Sequence, residues 1–402
     1  GGVGGTLAAR DLSNVSTSVA ARPPYTGARS IFTYTSASSS TDLTHADNAF
    51  STTNDNLHCS ADGLSQGPLA VDCTLATRPA TIIEENNIIN YVHGYEYGTS
   101  TQRRWPLGDI LHSRPVVFNY SAYSSAYEDT CYEDAGGGPF NSSVIFVGAN
   151  DGMLHVFDDA DGSEIWGFIA PSQLGRLKLL DNTDHDYFMD GSPSVYDGSS
   201  QKILIIGERR GGQTYVALDI TAHETPVWLY SIGPTILDPD PLNFPDTDSY
   251  EMLGQSWSRP QAVTLATGVS ISETGTPPAC SVTVINDVTD AFLIPGGYDN
   301  NQDLDTPSAT DSVGRALFAV GVTYGELISG LNFNALGNTG LGMTHCIVDV
   351  SGIDHDGDGI VNRIYAGDLG GNIFAFKDDE VMSFCSGTHL KSITDGTWSA
   401  QK

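Results

Sequence analysis

The residues best suited to chemistry lie near the end of the 402-residue sequence, at Asp354-His355-Asp356-Gly357-Asp358-Gly359-Ile360-Val361-Asn362. Oxygen-bearing side chains occupy positions one, three, five and nine of this run. Alternate residues of a tightly wound loop point inward, so the spacing converges the carboxylates of Asp354, Asp356 and Asp358. Gly359, at position six, permits a sharp turn. Ile360, at position seven, offers its backbone carbonyl, and Asn362 an amide oxygen, directly or through water. A hard cation such as Ca²⁺ takes this kind of oxygen set from a flexible loop. An EF-hand would add a bidentate Glu at position twelve, where this chain has Tyr365 in a strand-like segment. The expectation is therefore an EF-hand-like loop on a β-hairpin, with one or two coordination positions left to water. The competing reading is an Asp/Gly-rich turn that binds nothing.

Other clusters are less specific. Asp299, Asp303 and Asp305 follow Gly296-Gly297 at looser spacing and read as a solvated loop, with a second cation as the alternative. The run 181–186 is weaker still. The ten His are scattered, and no H-E-x-x-H, G-x-S-x-G elbow or Walker loop occurs. The glycine-rich stretches 148–152 and 367–371 sit in hairpins without a following helix, so turn geometry accounts for them. Arg209-Arg210-Gly211-Gly212 reads as a hairpin turn, with contact to an acidic partner as the alternative. Trp166, Trp228 and Trp257 read as packing anchors. Asn14, Asn119 and Asn141 head N-x-S/T sequons. These readings leave no catalytic constellation, and the expectation is a protein that is not an enzyme.

The elements that must position the Asp-rich run are short strands. With 44 Gly and 17% charged residues, the composition suits a turn-rich β protein. From Trp105 onward a unit recurs: apolar run, Gly/Asp turn, apolar run, often a Trp. It is visible around 144–157, 203–218, 292–320 and 363–376. Ser113-Arg114-Pro115, Gly191-Ser192-Pro193 and Ser258-Arg259-Pro260 each precede a strand, where a missing N–H costs nothing. Recurrence at this scale predicts an all-β fold, a modified β-propeller with long inserted loops at 233–256 and 264–290. Four hairpins and a partial blade are countable, and another blade is expected to begin at Thr397-Trp398. Residues 1–104 are Ser/Thr-rich and predicted to be a mostly irregular segment packing on the propeller region, 105–402. Within them a strand is expected at 30–35 and a helix at 82–91, with Ile82, Ile83, Ile88, Ile89 and Val92 on one face.

The balance of 49 acidic against 18 basic residues leaves −31. That field disfavours nucleic acid and anionic lipid as partners and suits a solvated exterior. Cys59, Cys73, Cys131, Cys280, Cys346 and Cys385 form no C-x-x-C pair, so disulfides in an oxidising compartment are expected. Cys59 with Cys73, and Cys346 with Cys385, are the local candidates. No apolar run is long enough to span a membrane, so no direct membrane insertion is expected. The chain begins at Gly1 and reads as part of a longer, exported protein.

Several of these stretches are similar to a known family. Leu107-Gly108-Asp109-Ile110-Leu111-His112-Ser113-Arg114-Pro115, residues 147–157, Leu253-Gly254-Gln255-Ser256-Trp257-Ser258-Arg259-Pro260 and Tyr365-Ala366-Gly367-Asp368-Leu369-Gly370-Gly371-Asn372 resemble the C-terminal β-propeller domain of PilY-type, type IV pilus tip-associated adhesins. The resemblance implies secretion and display on the cell surface at the pilus tip (the fimbrium). It further implies partnership with minor pilins and with a surface or host receptor. A nine-residue Ca²⁺ loop serving attachment, pilus extension and retraction, and twitching motility is also implied. The ligands carried over would be Asp354, Asp356, Asp358, the Ile360 carbonyl and Asn362, which stands where an Asp is common. The family's N-terminal adhesive region and final blades are expected to lie outside this sequence. Two other readings stay open: a quinone-dependent dehydrogenase on a propeller scaffold, although no adjacent cysteine pair is present, and a purely structural scaffold for minor pilins.

Overall fold

Four sheets of four or five strands frame the described residues. The computed structural model describes residues 29–402 apart from 61–66, 70, 72–73, 75–77, 104, 121–142, 160–161, 182–183, 235–249, 276–280, 335–340, 379, 385–388 and 394–396. Cys73, Cys131, Cys280, Cys385, Asn14, Asn141 and most of the expected loop at 233–256 lie outside the described residues. The chain divides into two compact units, one of residues 1–195, 199–204 and 218–228, the other of 196–198, 205–217 and 229–402.

In the first unit, β1 (Ile31–Thr33), β2 (Val116–Asn119), β3 (Ser143–Gly148), β4 (Met153–Asp158) and β5 (Glu164–Ile169) form a sheet of order β1-β5-β4-β3-β2. Strands β2 to β5 are an antiparallel meander, and β1 pairs parallel to β5. Near-continuous apolar residues bury both faces of β3 and β4. The short β1 and the helix α1 (Arg78–His93) match the expected elements, α1 being a turn longer at its start. Its buried face differs from the expectation. Ile88, Ile89 and Val92 are buried with Thr81 and Glu85, but Ile83 is 63% exposed. Positions 81, 85, 88 and 92 share one side of a helix of 3.6 residues per turn, and position 83 falls opposite.

A chain of buried charges crosses this unit. The Arg29 guanidinium clamps Glu164 with two bonds of 2.6 and 2.7 Å and donates a third to the Val92 carbonyl at 2.9 Å. His155 places Nδ1 2.7 Å from Glu164 and Nε2 3.0 Å from Asp151. Carboxylates on both ring nitrogens require both to carry protons, so His155 is an imidazolium. Burial pulls it down, but Asp151 and Glu164 outweigh that and push it up to about 9. Trp166 and Trp228 are buried anchors: Trp166 donates to the His223 carbonyl, and Trp228 stacks on Tyr34 at 5.0 Å.

The next sheet has order β6-β7-β8-β9, from β6 (Ser194–Asp197), β7 (Lys202–Gly207), β8 (Tyr215–Asp219) and β9 (Val227–Ile232). In the second unit, β10 (Gln261–Thr274), β11 (Ser281–Pro295), β12 (Ala316–Gly321) and β13 (Leu327–Asn334) form an antiparallel meander. The segment 264–290, expected as an inserted loop, is the extension of β10 and β11 into a ribbon paired from Gln261 and Leu293 out to Thr274 and Ser281. Its Ser/Thr-rich alternation suits a two-stranded ribbon exposed on both faces.

The last sheet contains β14 (Ile347–Ile353), β15 (Arg363–Asp368), β16 (Ile373–Lys377) and β19 (Ser399–Gln401), with a separate hairpin of β17 (Glu380–Phe384) and β18 (His389–Ile393) between β16 and β19. Residues after Thr397-Trp398, expected to open a new blade, instead supply this sheet's fourth strand, because Ser399–Gln401 pairs with β16. The three Pro motifs stand directly before β2, β6 and β10, as expected. The described residues are thus mostly β, in sheets of four or five strands such as a modified propeller is expected to have. Cys346 is a buried free thiol, pushed up to about 12 by burial, so no Cys346–Cys385 staple forms. Its Cβ lies against Gly314, where any side chain would stand 2.4 Å away. No helix among the described residues is long and apolar enough to cross a membrane.

Candidate metal centre

The run 354–362 is the connection between β14 and β15. Both strands alternate, with Ile347, Ile364 and Ala366 inward in one core with Val263, Leu293, Leu317, Phe374 and Phe376. Val361, the last apolar residue of the loop, plugs this core and is 8% exposed. The loop is therefore anchored at its end while its acidic part stands in solvent.

Asp354 organises the turn. Its Oδ1 accepts the N–H of Gly357 at 2.6 Å and of Asp358 at 3.2 Å, and its Oδ2 accepts Gly359 N–H at 2.8 Å. Gly357 and Gly359 have φ of 80° and 91°, the left-handed region that glycine enters without strain. Ile360 donates its N–H to Asp358 Oδ1 at 2.9 Å. As a result, one oxygen each of Asp354, Asp356 and Asp358 lies within 4.8 Å of the others. Among the described residues this is the one such group of acidic, His or Cys side chains. Asn362 is buried and braces the loop: Oδ1 accepts His355 N–H at 3.0 Å, and Nδ2 donates to Asp356 at 3.2 Å. Tyr365 lies in β15, so position twelve contributes no carboxylate.

The electrostatics are uneven. The Gly359 N–H, with those of Gly357 and Asp358, holds the Asp354 carboxyl below its usual range. Partial burial, then the Asp358 charge, pushes Asp356 upward. Three carboxylates crowded without a cation repel one another, and a divalent ion would relieve that repulsion. All the donors are hard oxygens, so the residues present fit Ca²⁺ rather than a soft metal.

The second acidic cluster has a different use. Asp299 caps a turn through Asn301 N–H and accepts two N–H groups and a hydroxyl from Ser312 and Val313 at 2.6–2.9 Å. Asp303 accepts from Tyr298, and buried Asp311 ties Asn301 and Gln302 to the Cys346 N–H. These carboxylates are engaged by protein donors, and Asp305 is exposed. The glycine-rich stretches are hairpin turns: Gly152 and Gly371 have φ of 96° and 81°, and Asp368 accepts from both the backbone and the side chain of Asn372. Sequence reading missed Asp311 and the Arg29–Glu164–His155–Asp151 chain. The available signal was a charged residue inside an apolar run, as at His155 between Leu154 and Val156.

No family model matches the chain. It is 27% identical over 366 residues, 78% of its length, to the type IV pilus biogenesis factor PilY1 homolog of Xylella fastidiosa strain Temecula1. It is 27% identical over 290 residues, 68% of its length, to type IV pilus biogenesis factor PilY1 of Pseudomonas aeruginosa strain UCBPP-PA14. The chain spans 21% of each of these relatives. The crystal structure of the Pseudomonas aeruginosa PilY1 C-terminal domain aligns with a TM-score of 0.38 and 26% identity, covering 58% of this chain and 38% of that one. The sequence similarity to PilY-type proteins runs through most of the chain's length.

Proposed function

We propose that this chain is a calcium-binding part of a type IV pilus-associated surface protein, acting in pilus biogenesis and attachment rather than in catalysis. The observation that carries the reading is the similarity over 78% of the chain to a protein named for type IV pilus biogenesis. Calcium binding is supported by the three converging carboxylates and the glycine turns that wind the loop around Asp354. In this reading Asp354, Asp356 and Asp358 hold the ion, with the Ile360 carbonyl and Asn362 completing the protein's share. The bound ion neutralises the crowded charges and stiffens the β14–β15 connection. The protein acts outside the cell at the pilus tip, with minor pilins and a surface receptor as partners.

Thermal melting tests the metal. A cation that binds only the folded chain stabilises it by RT ln(1 + [Ca]/Kd), about 2.7 kcal/mol at one hundred times Kd. The melt should rise in calcium over EGTA, and the rise should vanish in Asp354→Ala/Asp358→Ala. Identical curves for the native chain in calcium and in EGTA remove the metal from the reading. Restoration of pili and attachment by the full-length gene in a non-piliated deletion strain tests the wider role, and a visible quinone absorption in the purified protein would overturn it.

A further inference from the structure

We infer that the root of the β10–β11 ribbon positions the 354–362 loop, so that a cation in the loop is felt along the ribbon; this rests on the calcium reading above. β10 and β14 are edge strands of their sheets. At the loop's entrance the Gln261 side chain takes both backbone groups of Gly352: Nε2 donates to the carbonyl at 3.2 Å, and Oε1 accepts the N–H at 2.8 Å. The carboxamide thus stands in for a missing strand neighbour, two residues before Asp354. At the exit, Val361 N–H donates to the Thr264 carbonyl at 2.9 Å, between the Ile360 and Asn362 positions.

Both ends of the loop are therefore clamped to one short stretch of β10. The approach is close: a Cβ on Gly352 would lie 2.9 Å from Leu293, 3.2 Å from Val361 and 3.4 Å from Val263. Thr264 is itself held by Asp290, its partner across the β10–β11 pair, at 2.7 Å. Beyond this root β10 is largely exposed, and Ile285 and Val288 on β11 are 60% and 51% exposed. Fixing the loop fixes the strand from which the ribbon springs. Coupling of this kind is reciprocal, so a change at the root must alter cation affinity by the same factor.

Hydrogen exchange on the intact chain, with calcium alone as the probe, tests this. Saturating calcium should slow the Val361 and Gly352 amides and the peptides 261–274 and 281–293 by about fivefold or more. Gln261→Leu should weaken calcium affinity, read by calorimetry, by a comparable factor. Calcium binding with unchanged ribbon exchange overturns the coupling and leaves the metal reading intact. Absence of calcium binding in the native chain removes both. Should Gln261→Leu fail to fold, exchange in the native chain decides alone.

Discussion

Replacing Arg29 by Met removes the guanidinium that clamps Glu164, a carboxylate also bonded to His155. Both side chains are buried, at 1% and 4% exposure. The guanidinium makes two short bonds to Glu164 and one to the Val92 carbonyl, and the substitution deletes all three. Glu164 keeps the His155 bond at 2.7 Å, but the chain then holds two buried anions against one cation. Removing one partner of a buried pair costs about 3–5 kcal/mol, far more than the roughly 1 kcal/mol of an ordinary hydrogen bond. Arg29→Met/Glu164→Met removes both charges and adds apolar contact, so its cost should fall to within about 1–2 kcal/mol of the native chain. The double-mutant cycle should therefore show a coupling of about 2 kcal/mol or more. Hydrogen exchange of the Met153–Asp158 and Glu164–Ile169 peptides through a urea series reads the opening energy of this unit directly. A single mutant costing less than about 1 kcal/mol, or strictly additive costs, would refute the reasoning.

Two histidines of the same unit should shape its pH profile. His155, with a folded value near 9 against 6.5, contributes stability that is complete below pH 6.5 and lost as pH rises towards 9. His93 is held neutral by burial, down to about 4, so its contribution is present above pH 6.5 and lost as pH falls towards 4. Protection of β4 and β5 should therefore peak near pH 6.5, and a flat profile from pH 5 to 9 would contradict both assignments. On α1, Ile89→Ala should cost about 2–4 kcal/mol by urea unfolding, as a fully buried Ile does. Ile83→Ala should change stability by no more than about 0.5 kcal/mol, and a larger loss would mean that this side chain is covered in solution.

Repeated apolar runs separated by Gly/Asp turns were enough to place the strands, because alternation and turn chemistry are local. The Pro motifs marked strand starts for the same reason, and i, i+2, i+4 carboxylates with glycines between them marked the one group that converges among the described residues. Patterns with more than one local solution went astray. The segment 264–290 has the polarity of a loop, and only pairing between β10 and β11 makes it a ribbon. Thr397-Trp398 resembles the start of a blade, and only the open edge of β16 recruits the following residues as β19. The roles of Arg29, Asp311 and Gln261 were invisible because each depends on a partner distant in sequence: 135 residues to Glu164, 35 to the Cys346 N–H and 91 to Gly352. Sequence by itself determined the strands, the turns and the acidic loop, whose causes lie within a few bonds of each residue. The tertiary structure alone decided which charges are buried together and which strand braces the loop, because burial and long-range pairing exist only once the chain has folded.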